Sequence, residues 1–175
     1  MATLDRVGYG VVEPNHLSAQ VTGQIYAQLP ANSAIAQLEN GQFAKYDYKT
    51  GEVNFTGEGE WMLVYNEVKL YKDEEINARE YAMKKTDAVD GIITPRLFKL
   101  NIGDIFTTNC TNAAATSAEG KTVGEDLAVG DVVAPDSATG YLTEAAGAES
   151  AYKLQVVKVY TLPDGQAAVK LMRIA

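Results

Sequence analysis

The residues that could carry acid–base or nucleophilic chemistry are few in this chain. Its 175 residues include a single histidine, His16, and a single cysteine, Cys110. A Ser-His-Asp or Cys-His mechanism would have to use His16, and nothing around it in the sequence indicates an ordered base. One histidine and one cysteine cannot supply a typical zinc site. Cys110 lies in a Thr/Asn-rich segment without cationic neighbours that would favour the thiolate, so we expect an unreactive thiol.

Carboxylates are the only chemically useful side chains in excess. Asp73-Glu74-Glu75 and the pair Asp87 and Asp90 could bind a cation or act in glycoside hydrolysis. Neither group has the D-x-D-x-D-G spacing of a calcium-binding loop, and a solvated acidic face is the simpler interpretation. Glycosidase carboxylates come from distant strands, so an enzyme of that type stays as a third hypothesis. We assign no catalytic, cofactor-binding or metal-binding residue, expect no cofactor and predict that the chain is not an enzyme.

The charge balance argues against a nucleic-acid partner. Fifteen Lys and Arg residues against 23 Asp and Glu residues give a formal net charge of −8 and a pI near 4.7. A surface this acidic repels phosphate backbones. The N-terminal segment lacks the basic and apolar regions of a signal peptide, and no apolar run approaches the roughly 18 residues of a membrane span. We therefore expect neither a nucleic-acid nor a membrane partner.

Alternating apolar residues and turn residues predict β-strands along most of the chain. Gln42–Tyr48 alternates as a half-buried strand, Lys49-Thr50-Gly51 provides a turn, and Glu52–Phe55 returns as a second strand. Trp61–Tyr65 is a short continuous apolar run, which is typical of a strand buried on both faces. The chain ends in two Val/Leu/Tyr-rich strands that Pro163-Asp164-Gly165 joins as a turn.

Two related segments indicate a shared turn-and-strand unit. Leu100–Asn109 and Leu127–Asp136 both fit L-x-[I/V]-G-D-[I/V]-[F/V]-x-x-[N/D], and we call them the G-D units. In each unit the glycine provides a turn, the aspartate can accept hydrogen bonds from nearby backbone amides, and a β-branched strand follows. Two copies are too few to indicate a repeat architecture.

Lys72–Lys85 is the one candidate helix. Its Glu, Ala, Lys and Arg content favours helix, but Ile76, Tyr81 and Met83 do not form an i, i+3, i+4 stripe. An excursion between strands is the equal alternative.

These elements predict an all-β fold. The expected architecture is a β-sandwich or small β-barrel of about ten short strands, with an extended N-terminal arm and with or without one short helix. Residues 1–22 are irregular and form the predicted arm, and residues 23–175 form the β-rich domain. A subdivision of that domain would fall near the acidic stretch Lys72–Gly91.

Several short phrases resemble the structural proteins of bacteriophage heads. Asn40–Val53 (NGQFAKYDYKTGEV) is similar to the opening of head-decoration proteins, in which NGQ, a strand, a turn and G-x-V follow one another. The G-D units, with Pro135 and Gly140-Tyr141-Leu142 after the second one, resemble the V-G-D-x-V-x-P…G-Y-L phrases of such proteins. Residues 1–20 also look like the start of a phage structural protein. In these features the chain is similar to head-decoration, or capsid cement, proteins.

The resemblance implies a non-enzymatic virion protein that binds the outside of the major capsid protein lattice and stabilises the head. It also implies a homo-oligomer, by the family pattern a trimer, that is made in the host bacterial cytoplasm and located on the capsid surface. Residues 1–22 could then add a strand to a capsid subunit. The chain is longer than the smallest decoration proteins and Lys72–Gly91 has no counterpart in them, so a head fibre, a minor capsid protein or a tail component stays open.

The second hypothesis is a phage tail or surface binding module that recognises host carbohydrate. The ten tyrosines and Trp61 are the residues that could form a sugar platform, although their positions on predicted strands favour packing. An exposed concave cluster of Tyr and Trp61 with nearby Asp or Asn would support this hypothesis, and a buried Trp61 would count against it.

Overall fold

The computed structural model describes residues 9–17, 25–66, 82–111, 127–144, 149–163 and 165–175. Within these residues the chain forms thirteen short strands and one turn of 3-10 helix, Val89–Gly91. The strands are β1 (Val12–His16), β2 (Ile25–Gln28), β3 (Gln37–Glu39), β4 (Phe43–Asp47), β5 (Glu52–Asn54), β6 (Met62–Val64), β7 (Ala82–Lys84), β8 (Arg96–Phe98), β9 (Ile105–Thr108), β10 (Val132–Pro135), β11 (Leu142–Thr143), β12 (Leu154–Thr161) and β13 (Ala167–Arg173). The all-β fold class is confirmed.

The strands form two larger sheets and one small one. The six-stranded sheet has the order β1-β9-β13-β12-β10-β11, the five-stranded sheet has the order β2-β8-β6-β4-β5, and β3 pairs with β7. All pairs between these strands are antiparallel. Neither larger sheet closes on itself, so of the two expected architectures the described strands form a sandwich and not a closed barrel.

A continuous hydrophobic core lies between the two larger sheets. The five-stranded sheet contributes Phe43, Leu63 and Phe98, each fully or nearly fully buried. The Phe43 ring lies 6.1 Å from the Phe106 ring of β9 and 5.8 Å from the Tyr152 ring just before β12, measured between centroids. Burying side chains of this size contributes about 1.5–3 kcal/mol each, so this core is the main link between the sheets.

Strand β6 is buried on both faces, as its apolar run predicted. Leu63 packs in the core between the sheets, whereas Met62 and Val64 belong to a second hydrophobic cluster on the outer face of the five-stranded sheet. Leu38 of β3 and Met83 of β7 pack in the same cluster. The small sheet therefore covers the five-stranded sheet and forms part of a third layer.

Both predicted hairpins are confirmed. In the β4–β5 hairpin, the Asp47 carboxylate accepts a hydrogen bond from the Lys49 N–H at 2.9 Å, and this bond lowers the pKa of Asp47. In the β12–β13 hairpin, the Gly165 N–H donates to the Leu162 carbonyl at 2.9 Å. Asp164 of the predicted turn lies outside the described residues.

The two G-D units form the turns that the sequence predicted. Gly103 and Gly130 have φ angles of +94° and +103°, which glycine adopts without strain. The carboxylate of Asp104 accepts a hydrogen bond from the N–H three residues earlier at 2.9 Å, and that of Asp131 does the same at 2.7 Å. Each aspartate thus closes its own turn before the following strand begins.

The G-D units flank the C-terminal hairpin on opposite sides. Strand β9 of the first unit pairs with β13, and β10 of the second pairs with β12. The Gly103 N–H donates to the Arg173 carbonyl, and the Gly130 N–H donates to the Val156 carbonyl, both at 2.8 Å. The sequence similarity therefore corresponds to two equivalent attachments to one hairpin.

The candidate helix does not extend to Lys85. Ala82–Lys84 is strand β7, whose Met83 is paired with Leu38 of β3. Pairing with β3 and packing against the second cluster outweigh the local helix propensity. Residues 72–81 lie outside the described residues. None of the described segments is a helix with the length and apolar composition that crossing a membrane requires.

Part of the predicted N-terminal arm belongs to the six-stranded sheet. Val12–His16 forms β1 and pairs with β9. Just before it, the Gly10 N–H donates to the Glu39 carboxylate and the Val11 N–H donates to the Asn109 side chain, both at 2.8 Å. Residues 1–8 and 18–22 of the arm lie outside the described residues.

Candidate functional site

The residues considered for catalysis do not come together in the described part of the chain. The backbone of His16 lies at the end of edge strand β1, whereas Cys110 follows β9 and is fully buried with a free thiol. Asp87 and Asp90 are exposed, with Asp90 inside the 3-10 turn, and Asp73-Glu74-Glu75 lies outside the described residues. No group of three or more His, Cys, Asp and Glu side chains within the described residues could hold a metal ion.

A cleft of about 330 Å³ lies where the ends of the two larger sheets meet, and we call it the seam cleft. The charged, polar and aromatic side chains that line it are those of Lys45, Glu60, Trp61, Ser150, Tyr152 and Arg173. Lys45 comes from β4, and Glu60 and Trp61 immediately precede β6, so these three belong to the five-stranded side. Ser150 and Tyr152 precede β12 and Arg173 ends β13, so these belong to the six-stranded side.

Arg173 is held in one position within the seam cleft. Its guanidinium forms an ion pair with Glu60 at 2.6 Å and donates hydrogen bonds to the carbonyls of Leu100 and Ala175. The guanidinium carbon also lies 4.4 Å from the centroid of the Tyr152 ring, a cation–π distance. These contacts use several of the five guanidinium N–H donors and fix the plane of the group.

Lys45 is the second cation of the seam cleft. Its ammonium nitrogen lies 4.7 Å from the centroid of the Trp61 ring. Within the described residues it forms no salt bridge, in contrast to Arg173. Two cations and one carboxylate therefore line this cleft, in a chain whose formal net charge is −8.

The Tyr152 hydroxyl is buried without a hydrogen-bond partner among the described residues. Burial raises the pKa of Tyr152 far above its usual range, so the phenol stays protonated. Its ring packs against Phe43 on one side and lies beside the Arg173 guanidinium. Tyr152 thus connects the seam cleft to the core between the sheets.

Among the described residues, Trp61 does not belong to an exposed aromatic platform of the kind that the carbohydrate hypothesis requires. Trp61 is only 7% exposed, and by the criterion set out above its burial counts against that hypothesis. Tyr26 and Tyr48 are exposed, and the hydrogen bond that the Tyr48 hydroxyl donates to Tyr26 raises the pKa of Tyr48. The Lys99 ammonium lies 4.3 Å from the Tyr26 ring centroid, so a cation lies over this ring, as Lys45 does over Trp61.

The sheet edges differ in how far they are protected against further strand pairing. Strand β1 carries Pro14 and a register shift, β5 is bridged by Pro30–Asn32, and β11 has two residues and a bridge to Thr111. Strand β10 pairs with β12 only at Leu154 and Gln155, and the part of β12 that follows carries the exposed Lys158. Proline, bulges and lysine are features that oppose edge-to-edge pairing. Strand β2 (IYAQ) has no charge and no proline, and no described strand pairs with its outer edge.

Sequence reasoning did not identify the seam cleft. Trp61 and the tyrosines were expected to pack on strands, and Lys45 lies in the predicted strand Gln42–Tyr48, whereas no role was predicted for Glu60 or Arg173. These residues come from separate elements and have no spacing that a motif could capture. The one signal in the sequence is that the single tryptophan follows two acidic residues, Glu58 and Glu60.

Comparisons with known proteins add no relative to this description. No protein-family model matches the chain, and neither a curated protein nor a solved structure matches it. The resemblance to phage head proteins therefore remains a hypothesis based on short phrases.

Proposed function

We propose that this chain is a non-enzymatic structural protein of a phage virion that binds the outside of the major capsid protein lattice and stabilises the head. It acts as a homo-oligomer, a trimer by the family pattern, on the capsid surface. The phrase resemblance in Asn40–Val53 and in the G-D units supports this function. The all-β sandwich is compatible with it, because reinforcing a shell requires shape and sheet edges rather than reactive groups.

The observation that carries the proposal is the outer edge of β2, with which no described strand pairs. An extended segment of a partner can add to such an edge through main-chain hydrogen bonds, with specificity from side chains on alternate positions. Tyr26 is 39% exposed on this strand and could supply such a contact. The residues first expected to add a strand to the capsid include Val12–His16, which forms edge strand β1 and carries Pro14 and a register shift that oppose further pairing. We therefore place the main partner contact at β2.

Repetition on a lattice makes a small contact of this kind sufficient. A four-residue strand edge offers few hydrogen bonds and would bind weakly as a single site. When several copies are joined in one oligomer, the later contacts form at a high effective concentration and raise the overall affinity by about 100- to 10,000-fold. Weak individual contacts thus suit a decoration protein.

Co-sedimentation with capsid shells that lack the protein tests this function. We expect saturable binding at a fixed copy number per capsomer. Tyr26→Lys should abolish or strongly weaken it, because a lysine on an edge strand opposes strand addition. Ser137→Lys adds the same charge at the exposed turn between β10 and β11, in the six-stranded sheet, and should bind as the unaltered chain does.

Two results would contradict the proposal. The first is an absence of saturable binding to any shell together with binding in a glycan screen, which would transfer the function to carbohydrate recognition. The second is equal binding by Tyr26→Lys and Ser137→Lys, which would remove β2 from the contact.

A further inference from the structure

We propose that the seam cleft binds a carboxylate, and that this carboxylate belongs to an aspartate or glutamate side chain of the protein partner. The second half of this inference rests on the proposed function, whereas the first half concerns the cleft alone.

The charge of the cleft is opposite to that of the molecule. Lys45 and Arg173 line it together with a single carboxylate, that of Glu60, whereas the whole chain has 23 acidic and 15 basic residues. A concave positive site within an otherwise negative surface concentrates field lines and attracts anionic groups. Within the described residues the cleft therefore has the charge that a carboxylate requires.

The two cations are suited to different parts of the interaction. Arg173 is fixed by its ion pair with Glu60, by two carbonyls and by the Tyr152 ring, so its position is set before any ligand arrives. Lys45 rests on Trp61 and has no salt bridge within the described residues. Its ammonium has three N–H donors, and the ring can engage only part of them. Lys45 is thus the principal donor to the incoming carboxylate.

The aromatic rings favour a protein carboxylate over an acidic sugar. A bound sugar typically stacks its apolar C–H face on an open aromatic ring. In the seam cleft Lys45 lies over Trp61 and Arg173 lies over Tyr152, and Trp61 and Tyr152 are only 7% and 6% exposed. The cleft therefore offers charged donors and no open ring face, which matches an Asp or Glu side chain.

The position of the cleft gives this contact a mechanical consequence. Lys45 belongs to the five-stranded sheet and Arg173 to the six-stranded sheet. A carboxylate bound between them joins the two sheets at the surface, where the core between them ends. Binding of the partner carboxylate then stabilises the sandwich and also attaches it to the partner.

Trp61 makes the cleft directly observable, since it is the only tryptophan of the chain. We would titrate the full chain at low ionic strength with the blocked peptide acetyl-Ala-Glu-Ala-amide and follow tryptophan emission. The control peptide contains glutamine in place of glutamate, and sodium glucuronate serves as the sugar arm. We expect a saturable change with the glutamate peptide, a much smaller response to the glutamine peptide, and weaker binding as salt is added.

Lys45→Met tests the assigned donor while retaining much of the aliphatic chain over Trp61. Loss of a charge-assisted hydrogen bond should weaken binding of the glutamate peptide about tenfold or more. Lys49→Met is the matched control, because Lys49 lies in the β4–β5 turn and pairs with Glu58 outside the cleft. It should bind the peptide as the unaltered chain does.

The outcomes separate this inference from the proposed function. If shells bind saturably but neither the glutamate peptide nor glucuronate changes Trp61 emission, the cleft inference is overturned and the function stands. If the peptide binds through Lys45 but shells do not bind, the carboxylate site stands and its assignment to a capsid partner is overturned. Tighter binding of glucuronate than of the peptide would overturn the protein source, and equal binding by Lys45→Met and Lys49→Met would overturn the assigned donor.

Discussion

At the scale of single residues, Tyr152 provides a direct test of how the core tolerates a polar group. Its hydroxyl is buried without a hydrogen-bond partner among the described residues, which costs about 1–3 kcal/mol. Tyr152→Phe removes the hydroxyl and keeps the ring against Phe43. We expect the free energy of unfolding to stay unchanged or to rise by about 1 kcal/mol in urea denaturation. A decrease in the free energy of unfolding of about 1 kcal/mol or more would mean that the hydroxyl has a hydrogen-bond partner.

The same residue predicts a loss of stability at alkaline pH. Burial raises the pKa of Tyr152 in the folded chain, whereas in the unfolded chain it is near its reference value of about 10. Below that value both states are protonated and the group has no pH-dependent effect. Above it the unfolded state loses the proton first, so stability falls as the pH rises. The stability of Tyr152→Phe relative to the unaltered chain should be constant below about pH 10 and increase above it.

Gly140 predicts a large effect from a single added methyl group. Its φ is +72°, and a Cβ atom there would lie 2.1 Å from the Phe43 carbonyl oxygen and 2.8 Å from the Phe55 ring. We expect Gly140→Ala to lower the free energy of unfolding by about 2–4 kcal/mol through backbone strain and overpacking. Gly103→Ala is the control, since its φ is also positive but nothing lies within 4 Å of the new Cβ. It should cost only the backbone strain, about 1–2 kcal/mol.

At the scale of elements, the G-D units make the same turn in two environments. Asp104 is 3% exposed, whereas Asp131 is half-buried. Each carboxylate accepts a hydrogen bond from a backbone N–H of its own turn. Replacement by alanine leaves that N–H without its partner, and the penalty increases with burial. We expect Asp104→Ala to cost about 1–3 kcal/mol and Asp131→Ala about 1 kcal/mol or less in chemical denaturation, and a reversed order would contradict the assigned effect of burial.

Elements with local signals could be predicted from the sequence. Both hairpins were identified because Lys49-Thr50-Gly51 and Pro163-Asp164-Gly165 are turn sequences between alternating strands, and β6 was identified from its apolar run. Strands β3, β7 and β8 were not identified, because each pairs with distant partners and has no turn sequence or continuous apolar run that marks it locally, as β5 and β6 have. The placement of β9 and β10 on either side of the C-terminal hairpin is also a distant pairing, which no local pattern specifies.

The seam cleft could not be predicted for the same reason. Lys45, Trp61, Tyr152 and Arg173 lie in separate elements and meet only after both sheets have packed. Each has an ordinary local explanation as a strand or loop residue. What distinguishes them is the pairing of each cation with a ring, which depends on the arrangement of the sheets.

At the scale of the whole molecule, the path of the chain joins both halves of the sequence in each larger sheet. Strands β4 to β6 precede the stretch Lys72–Gly91 and β8 follows it, yet they are neighbours in the five-stranded sheet. In the six-stranded sheet, β1 from the start of the chain pairs with β9. The core between the sheets contains residues from both halves, such as Phe43 and Leu171. We therefore expect the described residues to unfold as one cooperative unit rather than as two parts divided at Lys72–Gly91.

Two natural probes, one associated with each sheet, test this cooperativity. Trp61 emission reports on the five-stranded sheet, and the thiol of Cys110, fully buried after β9, reports on the six-stranded sheet through its reaction with a thiol reagent. In a urea series the two probes should give the same midpoint.

Phe43→Ala removes the ring that contacts both Phe106 and Tyr152. It should lower the free energy of unfolding by about 3–5 kcal/mol and therefore lower both midpoints together. Val89→Ala is the control: its side chain is 85% exposed, so the substitution should change the free energy of unfolding by less than about 0.5 kcal/mol. If Phe43→Ala shifts the Trp61 midpoint and leaves Cys110 protected, the sheets unfold separately and the shared core does not couple them.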